Sequence, residues 1–157
     1  MVQDLSEGHS ASIARIAQEV TEFEMTTFPD PSSLLPHRAP FLFVDLITEL
    51  TPGISASAIW KLTGNETFFE GHFPGRPTLP GVLMCEAIAQ LGAYVVLGNQ
   101  KYVGKLPLFG GLDSARFRKQ VGPGDQLRLE VTLGKMSARA GKGSGRAVLN
   151  GEVACEC

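Results

Sequence analysis

Hydrophobic and polar positions along the chain change period three times, and the changes divide it. Between residues 10 and 24, Ile13, Ile16, Ala17, Val20 and Phe23 recur at helical spacing behind Ser10, a good N-cap; this predicts one amphipathic helix. Residues 27–33, with Pro29 and Pro31, read as a linker. The period then falls to two. Leu42, Val44, Leu46 and Leu50 share one face of a predicted strand over 41–50, and Ile54, Ala56, Ala58, Trp60 and Leu62 share one over 54–62. Thr51-Pro52-Gly53 joins them as an antiparallel pair. Gly64-Asn65-Glu66 ends the second strand, and Phe68-Phe69 lead into a loop rich in proline and glycine.

From Leu79 to Leu97 the chain is apolar on nearly every side, which predicts a helix buried within protein. Pro80, Gly81, Glu86, Gln90 and Gly92 interrupt it, so it does not read as a membrane span. Residues 99–104 are polar and close the helix. Residues 106–119 look strand-like, broken at Gly110-Gly111. After the turn Gly122-Pro123-Gly124-Asp125, Leu127, Leu129, Val131 and Leu133 alternate with Arg128, Glu130 and Thr132, the clearest strand pattern in the chain. Residues 141–145 read as the next turn and 146–157 as one last strand. A fully apolar helix needs a wrapping surface, and an antiparallel sheet curled around it supplies one, so the predicted class is α+β. The predicted division is a helix and linker over 1–33 and one domain over 34–157.

Composition changes this picture little. With 157 residues, 43% hydrophobic, 19% charged and a net charge of −2, the chain is sized for one soluble core and carries no overall attraction for nucleic acid or an anionic membrane. The three cysteines, Cys85, Cys155 and Cys157, have no CxxC or Cys/His ligand spacing, so neither a metal site nor a secreted disulfide framework is expected. Asp4 and Glu7 stand where a signal peptide would be apolar, which points to a reducing cytoplasm.

Chemistry concentrates at residues 71–90. Between Arg76 and Lys101 the one formally charged side chain is Glu86, and a carboxyl inside an apolar helix needs a partner, a proton or a task. His72 opens the same stretch in a tight turn. A histidine is a suitable base near neutral pH, and a glutamic acid among Val82, Met84 and Ile88 would be kept protonated by desolvation, ready to act as an acid. Gly81 and Val82, at the start of the helix, present N–H groups at the positive end of its dipole. Gln90, four residues beyond Glu86, is placed to hydrogen-bond its carboxyl. His37, just before a predicted strand, reads as the donor or acceptor of a structural hydrogen bond, and Cys85 as core packing. Trp60, Phe68, Phe69 and Phe73 read mainly as core, with some lining a substrate channel. Arg116, Arg118 and Lys119 form the one concentrated basic run, which is either a solvated strand face or a docking site for an acidic partner.

Leu35-Pro36-His37-Arg38 with Pro40-Phe41, Gly71-His72-Phe73-Pro74-Gly75, Pro80-Gly81-Val82-Leu83 with Glu86-Ala87 and Ala89-Gln90, and Pro123-Gly124-Asp125 with Leu127 together resemble the (3R)-hydroxyacyl-[acyl carrier protein] dehydratases of bacterial fatty-acid synthesis. The resemblance runs from about Leu34 to Cys157. It implies a hot-dog fold and a homodimer with active sites at its interface, in some members a trimer of dimers. It also implies His72 and Glu86 as catalytic residues, Gly81, Val82 and Phe73 at the substrate with Gln90 behind them, and no metal or redox cofactor. The substrate would arrive on the phosphopantetheine arm of acyl carrier protein, docked at Arg116, Arg118 and Lys119. Ala39 stands where the family commonly has tyrosine, and the family normally runs a few residues past the position of Cys157. Relatives that also isomerise the double bond typically have Asp at the position of Glu86, so isomerisation is not expected. The competing functions are a thioesterase of the same fold, which would not need His72, and a non-catalytic carrier-binding subunit, which would not need both His72 and Glu86.

Overall fold

The computed structural model describes residues 28–102, 104–137 and 140–157; the helix expected over 10–24 lies outside them. In chain order come α1 (Pro31–Leu34), β1 (Leu46–Thr51), β2 (Ser55–Lys61), α2 (Phe68–Gly71), α3 (Gly81–Leu97), a 3₁₀ turn (Gln100–Tyr102), β3 (Arg116–Phe117), β4 (Gln126–Met136), β5 (Gly141–Leu149) and β6 (Glu152–Glu156). The six strands form one antiparallel sheet in the order β1-β2-β4-β5-β6-β3. α3 lies on its inner face, as the α+β reading expects.

The core follows the patterns that were strongest. Leu127, Leu129 and Val131 of β4 and Ala56, Ala58 and Trp60 of β2 are buried against Met84, Ala87, Ile88, Leu91, Tyr94 and Val95 of α3. Sheet and helix approach closely because glycines allow it. A Cβ at Gly145 would stand 2.4 Å from Ile88 Cγ2 and 2.5 Å from the Glu130 carbonyl oxygen, so a side chain there would push β5 off both α3 and β4.

Weaker patterns were displaced. The strand expected over 41–50 begins only at Leu46, because the Phe43 N–H is taken by the Gln90 side chain at 2.9 Å. A register shift between Ile47 and Glu49 then turns Leu46 outward, 55% exposed, and buries Ile47. Of residues 106–119, Arg116 and Phe117 alone are strand; Leu106, Leu108, Phe109 and Leu112 are exposed on a loop that pairs with no strand among the described residues. The glycines of 141–145 belong to β5, the preceding connection being closed by the Ser137 N–H to the Ala140 carbonyl at 2.8 Å. What read as one last strand is two, reversed at Asn150-Gly151. Both residues have positive φ (51° and 82°), as a two-residue hairpin turn requires.

Candidate active site

His72 sits where α2 ends. Its N–H closes that short helix on the Phe68 carbonyl at 3.0 Å, and the chain then turns through Phe73-Pro74-Gly75-Arg76. Pro74 suits the second position of this turn and Gly75, at φ +76°, supplies the left-handed third. Phe73 and Arg76 exchange N–H···O=C bonds across it at 3.2 and 2.9 Å, and the Thr78 N–H returns to the His72 carbonyl at 2.7 Å. The Leu79 N–H then bonds the Val121 carbonyl at 2.7 Å. That fixes the turn to the segment entering β4, where Asp125 accepts from the Gly122 N–H at 2.8 Å.

This frame decides the imidazole's tautomer. His72 Nδ1 lies 2.7 Å from the Thr78 carbonyl oxygen, and a carbonyl only accepts, so Nδ1 carries the hydrogen and Nε2 of the neutral ring keeps a free lone pair. The Phe73 ring stacks on the imidazole at 4.0 Å, its outer surface exposed. Phe73 is therefore beside the histidine rather than in the core.

Glu86 projects from the second turn of α3. The Gln90 amide nitrogen donates to Glu86 Oε1 at 3.0 Å and to the Phe41 carbonyl at 3.1 Å, while its oxygen accepts the Phe43 N–H at 2.9 Å. Every atom of this amide is used and the residue is 1% exposed, so its donor faces Glu86 without ambiguity. The expected apolar enclosure of Glu86 is not what the structure builds. Met84 and Ile88 are buried in the core but Val82 is 66% exposed, and the groups at the carboxyl are Gln90 and His37.

His37 is the residue that sequence reasoning underrated. Its Nε2 lies 3.6 Å from Glu86 Oε1, and its buried Nδ1 has no partner among the described residues, where a structural hydrogen bond was expected. Leu35, two residues before it, is buried and ties that turn to the core, which no local sequence pattern announces.

Helix α3 begins one residue earlier than a cap at Gly81 would place it: Pro80 is the N-cap and Gly81 the first helical residue. The Leu83 N–H is drawn onto the Pro80 carbonyl at 3.0 Å, whereas those of Gly81 and Val82 have no partner among the described residues. The ring of Phe117 lies over Gly81, and a Cβ there would meet it at 2.8 Å. Glycine is thus required by β3 as well as by anything bound at the helix end.

Among the described residues no hydrogen bond or ion pair joins His72 to Glu86. A cleft of about 1380 Å³ along α3, beneath the loop carrying Leu106 to Leu112, is lined by Glu86, His37, Gln90 and Arg116 but not by His72. Of the basic run, Arg118 pairs with Glu156 and Lys119 with Glu152, both on β6. Arg116 has no carboxylate partner among the described residues. Cys85 and Cys155 are buried with sulfurs 3.8 Å apart, so Cys85 packs as expected.

The described residues hold no helix long and apolar enough to cross a membrane and no group of three or more His, Cys, Asp or Glu that could hold a metal.

An antiparallel sheet laid on one long apolar helix is the hot-dog fold, on which both dehydratases and thioesterases are built. Residues 35–157 match the FabA-like domain, and the chain belongs to that family. It is 51% identical over 132 residues, 84% of this chain and 94% of the relative, to the 3-hydroxyacyl-[acyl-carrier-protein] dehydratase FabZ of Herpetosiphon aurantiacus. It is 49% identical over 124 residues, 79% of this chain and 86% of the relative, to the FabZ of Staphylococcus saprophyticus. Among solved structures, the dehydratase heterocomplex ApeI:P from Xenorhabdus doucetiae superposes with a TM-score of 0.66 at 17% identity, covering 82% of this chain and 87% of that one. A thioesterase superfamily protein superposes at 0.54 with 16% identity, covering 98% and 82%. Both share the fold, and the fold by itself does not separate the two chemistries.

Proposed function

We propose that this chain dehydrates (3R)-hydroxyacyl thioesters, presented by acyl carrier protein in fatty-acid biosynthesis, to trans-2-enoyl thioesters. His72 of one copy and Glu86 of a second form each site. The observation that carries the reading is the Nδ1–H of His72 held by the Thr78 carbonyl at 2.7 Å, which leaves Nε2 as a base. Nε2 takes the proton from C2. The thioester oxygen gains negative charge at that moment and is met by the unpartnered N–H groups of Gly81 and Val82 at the positive end of α3. Glu86 gives a proton to the hydroxyl on C3, which leaves as water, and the double bond forms between C2 and C3. These steps call for no metal or redox cofactor.

Two features support assembly of the site across copies. Phe73, beside His72, and Val82 and Phe117, beside Gly81, are exposed apolar residues gathered where a partner would cover them. β3 is an edge of the sheet, so two copies can join edge to edge in a continuous sheet. A trimer of such dimers is a further step of the same proposal. Arg116, with Arg118 and Lys119 in their ion pairs, is the proposed docking point for the acidic carrier protein. The proposed compartment is the cytoplasm, in keeping with three free cysteines.

Hydration of a crotonyl thioester, followed by loss of its ultraviolet absorbance, tests the reaction. Wild type should hydrate it, and His72→Ala and Glu86→Gln should lose nearly all turnover. Release of free thiol without hydration would instead identify a thioesterase, and full turnover by both variants would remove these residues from the mechanism.

A further inference from the structure

The carboxyl of Glu86 has two oxygens, and its surroundings treat them differently. Oε1 accepts from the Gln90 amide at 3.0 Å and faces His37 Nε2 at 3.6 Å. The His37 ring is held there by its own turn: the Arg38 guanidinium donates to the carbonyls of Leu35 and His37 at 2.7 and 2.6 Å, and Leu35 is buried. The state of that ring follows from its other nitrogen. Nδ1 is buried and has no partner among the described residues. A hydrogen on it would be an orphaned buried donor, the rarer and costlier deficiency, whereas a bare nitrogen there is a tolerated unused acceptor. The neutral ring with its hydrogen on Nε2 therefore fits the site, and that N–H is the ring group nearest Glu86. At 3.6 Å the contact is electrostatic and longer than a hydrogen bond; contacts of this kind tighten when substrate closes a site.

We propose that His37 is a positioning residue for the dehydration: with Gln90 it holds Glu86 Oε1 as an acceptor, so that the transferable proton resides on Oε2 and faces the C3 hydroxyl. This rests on the reading of Glu86 as the acid. Gln90 supplies the first donor and locks the carboxyl's rotation. His37 supplies the second and biases which oxygen is protonated. A doubly protonated His37 would do the opposite, drawing Glu86 into an ion pair and leaving it no proton to give.

The test separates the acid step from the rest of the reaction by changing the leaving group. A 3-hydroxybutyryl thioester must lose hydroxide and needs the acid, whereas a 3-chlorobutyryl thioester loses chloride, which leaves without a proton. Wild type, His37→Leu, His37→Gln and Glu86→Gln are compared on both, with thermal unfolding to confirm that each variant folds. His37→Leu should lower kcat on the hydroxy substrate about tenfold with KM little changed, less than the ~10²–10⁴-fold that loss of an acid itself costs. His37→Gln, whose amide N–H can take the place of Nε2–H, should recover most of that loss. Both should eliminate chloride at close to the wild-type rate. Equal losses on the two substrates, no rescue by glutamine, or an undiminished His37→Leu would each overturn the proposal. Glu86→Gln keeps the two failures apart: if it dehydrates the hydroxy substrate normally, the assignment of Glu86 as acid falls, whatever His37 does.

Discussion

The turns at His72 and His37 hold the same side chain in opposite surroundings. Each imidazole sits in a short loop pinned to the core, and in each the chemistry of Nε2 is decided at Nδ1. At His72 the Thr78 carbonyl takes the Nδ1 hydrogen, so Nε2 is left as an acceptor, the proposed base. At His37 no group among the described residues meets Nδ1, so the proposed place of the hydrogen is Nε2, which faces Glu86. On the proposed reading the role of each histidine is set by the backbone around it, and one carbonyl oxygen separates the two.

The largest effect that can test this contrast is loss of the base. His72→Ala should lower kcat by about 10³-fold or more, and Glu86→Gln by about 10²-fold or more, in steady-state hydration assays. If His72→Ala costs no more than His37→Leu, the two rings have been given the wrong roles. Gly75→Ala comes next. It forces a side chain onto φ +76° in the turn that aims His72, a strain of roughly 1–2 kcal/mol. Turnover should fall about tenfold through misalignment of Nε2. Near-normal kcat with an unchanged melting temperature would show that the turn does not position the ring. The smallest effect belongs to neither histidine. Arg116→Glu should weaken use of carrier-linked substrate several-fold at low salt, less at high salt, and leave a short soluble thioester almost untouched. Equal effects on both substrates would remove the docking role.

How far these features could be read in advance depended on what held them. The strands β2 and β4 were legible because each buries a periodic face, and helix α3 because it is apolar on nearly every side; packing enforces both patterns along the whole element. The lead into β1 was misread because Gln90, 47 positions away from Phe43, takes a backbone N–H that the ladder would otherwise use. The glycines of β5 resembled a turn and proved to be a strand thinned to let α3 approach, a reason that lies in another element. The Asn150-Gly151 reversal carried a clear local signal that the weak alternation around it obscured. At the site, the Gln90 to Glu86 bond followed from helical spacing, whereas the place of His37 did not, since its contact with Glu86 joins a loop to a helix with no periodic relation between them. No hydrogen bond or ion pair among the described residues joins His72 to Glu86, so no local pattern in the chain reveals what His72 pairs with.

That pairing is the central claim, and mixing two inactive variants tests it most directly. His72→Ala and Glu86→Gln chains are unfolded together, refolded and assayed for hydration of a crotonyl thioester. If each site takes His72 from one copy and Glu86 from the other, a mixed dimer has one intact site and one doubly defective site. Random assembly should then restore about a quarter of wild-type activity. If both residues acted within one chain, every site in the mixture would carry one defect. Activity that stayed at the level of the separate variants, with mixed dimers demonstrably present, would contradict the account.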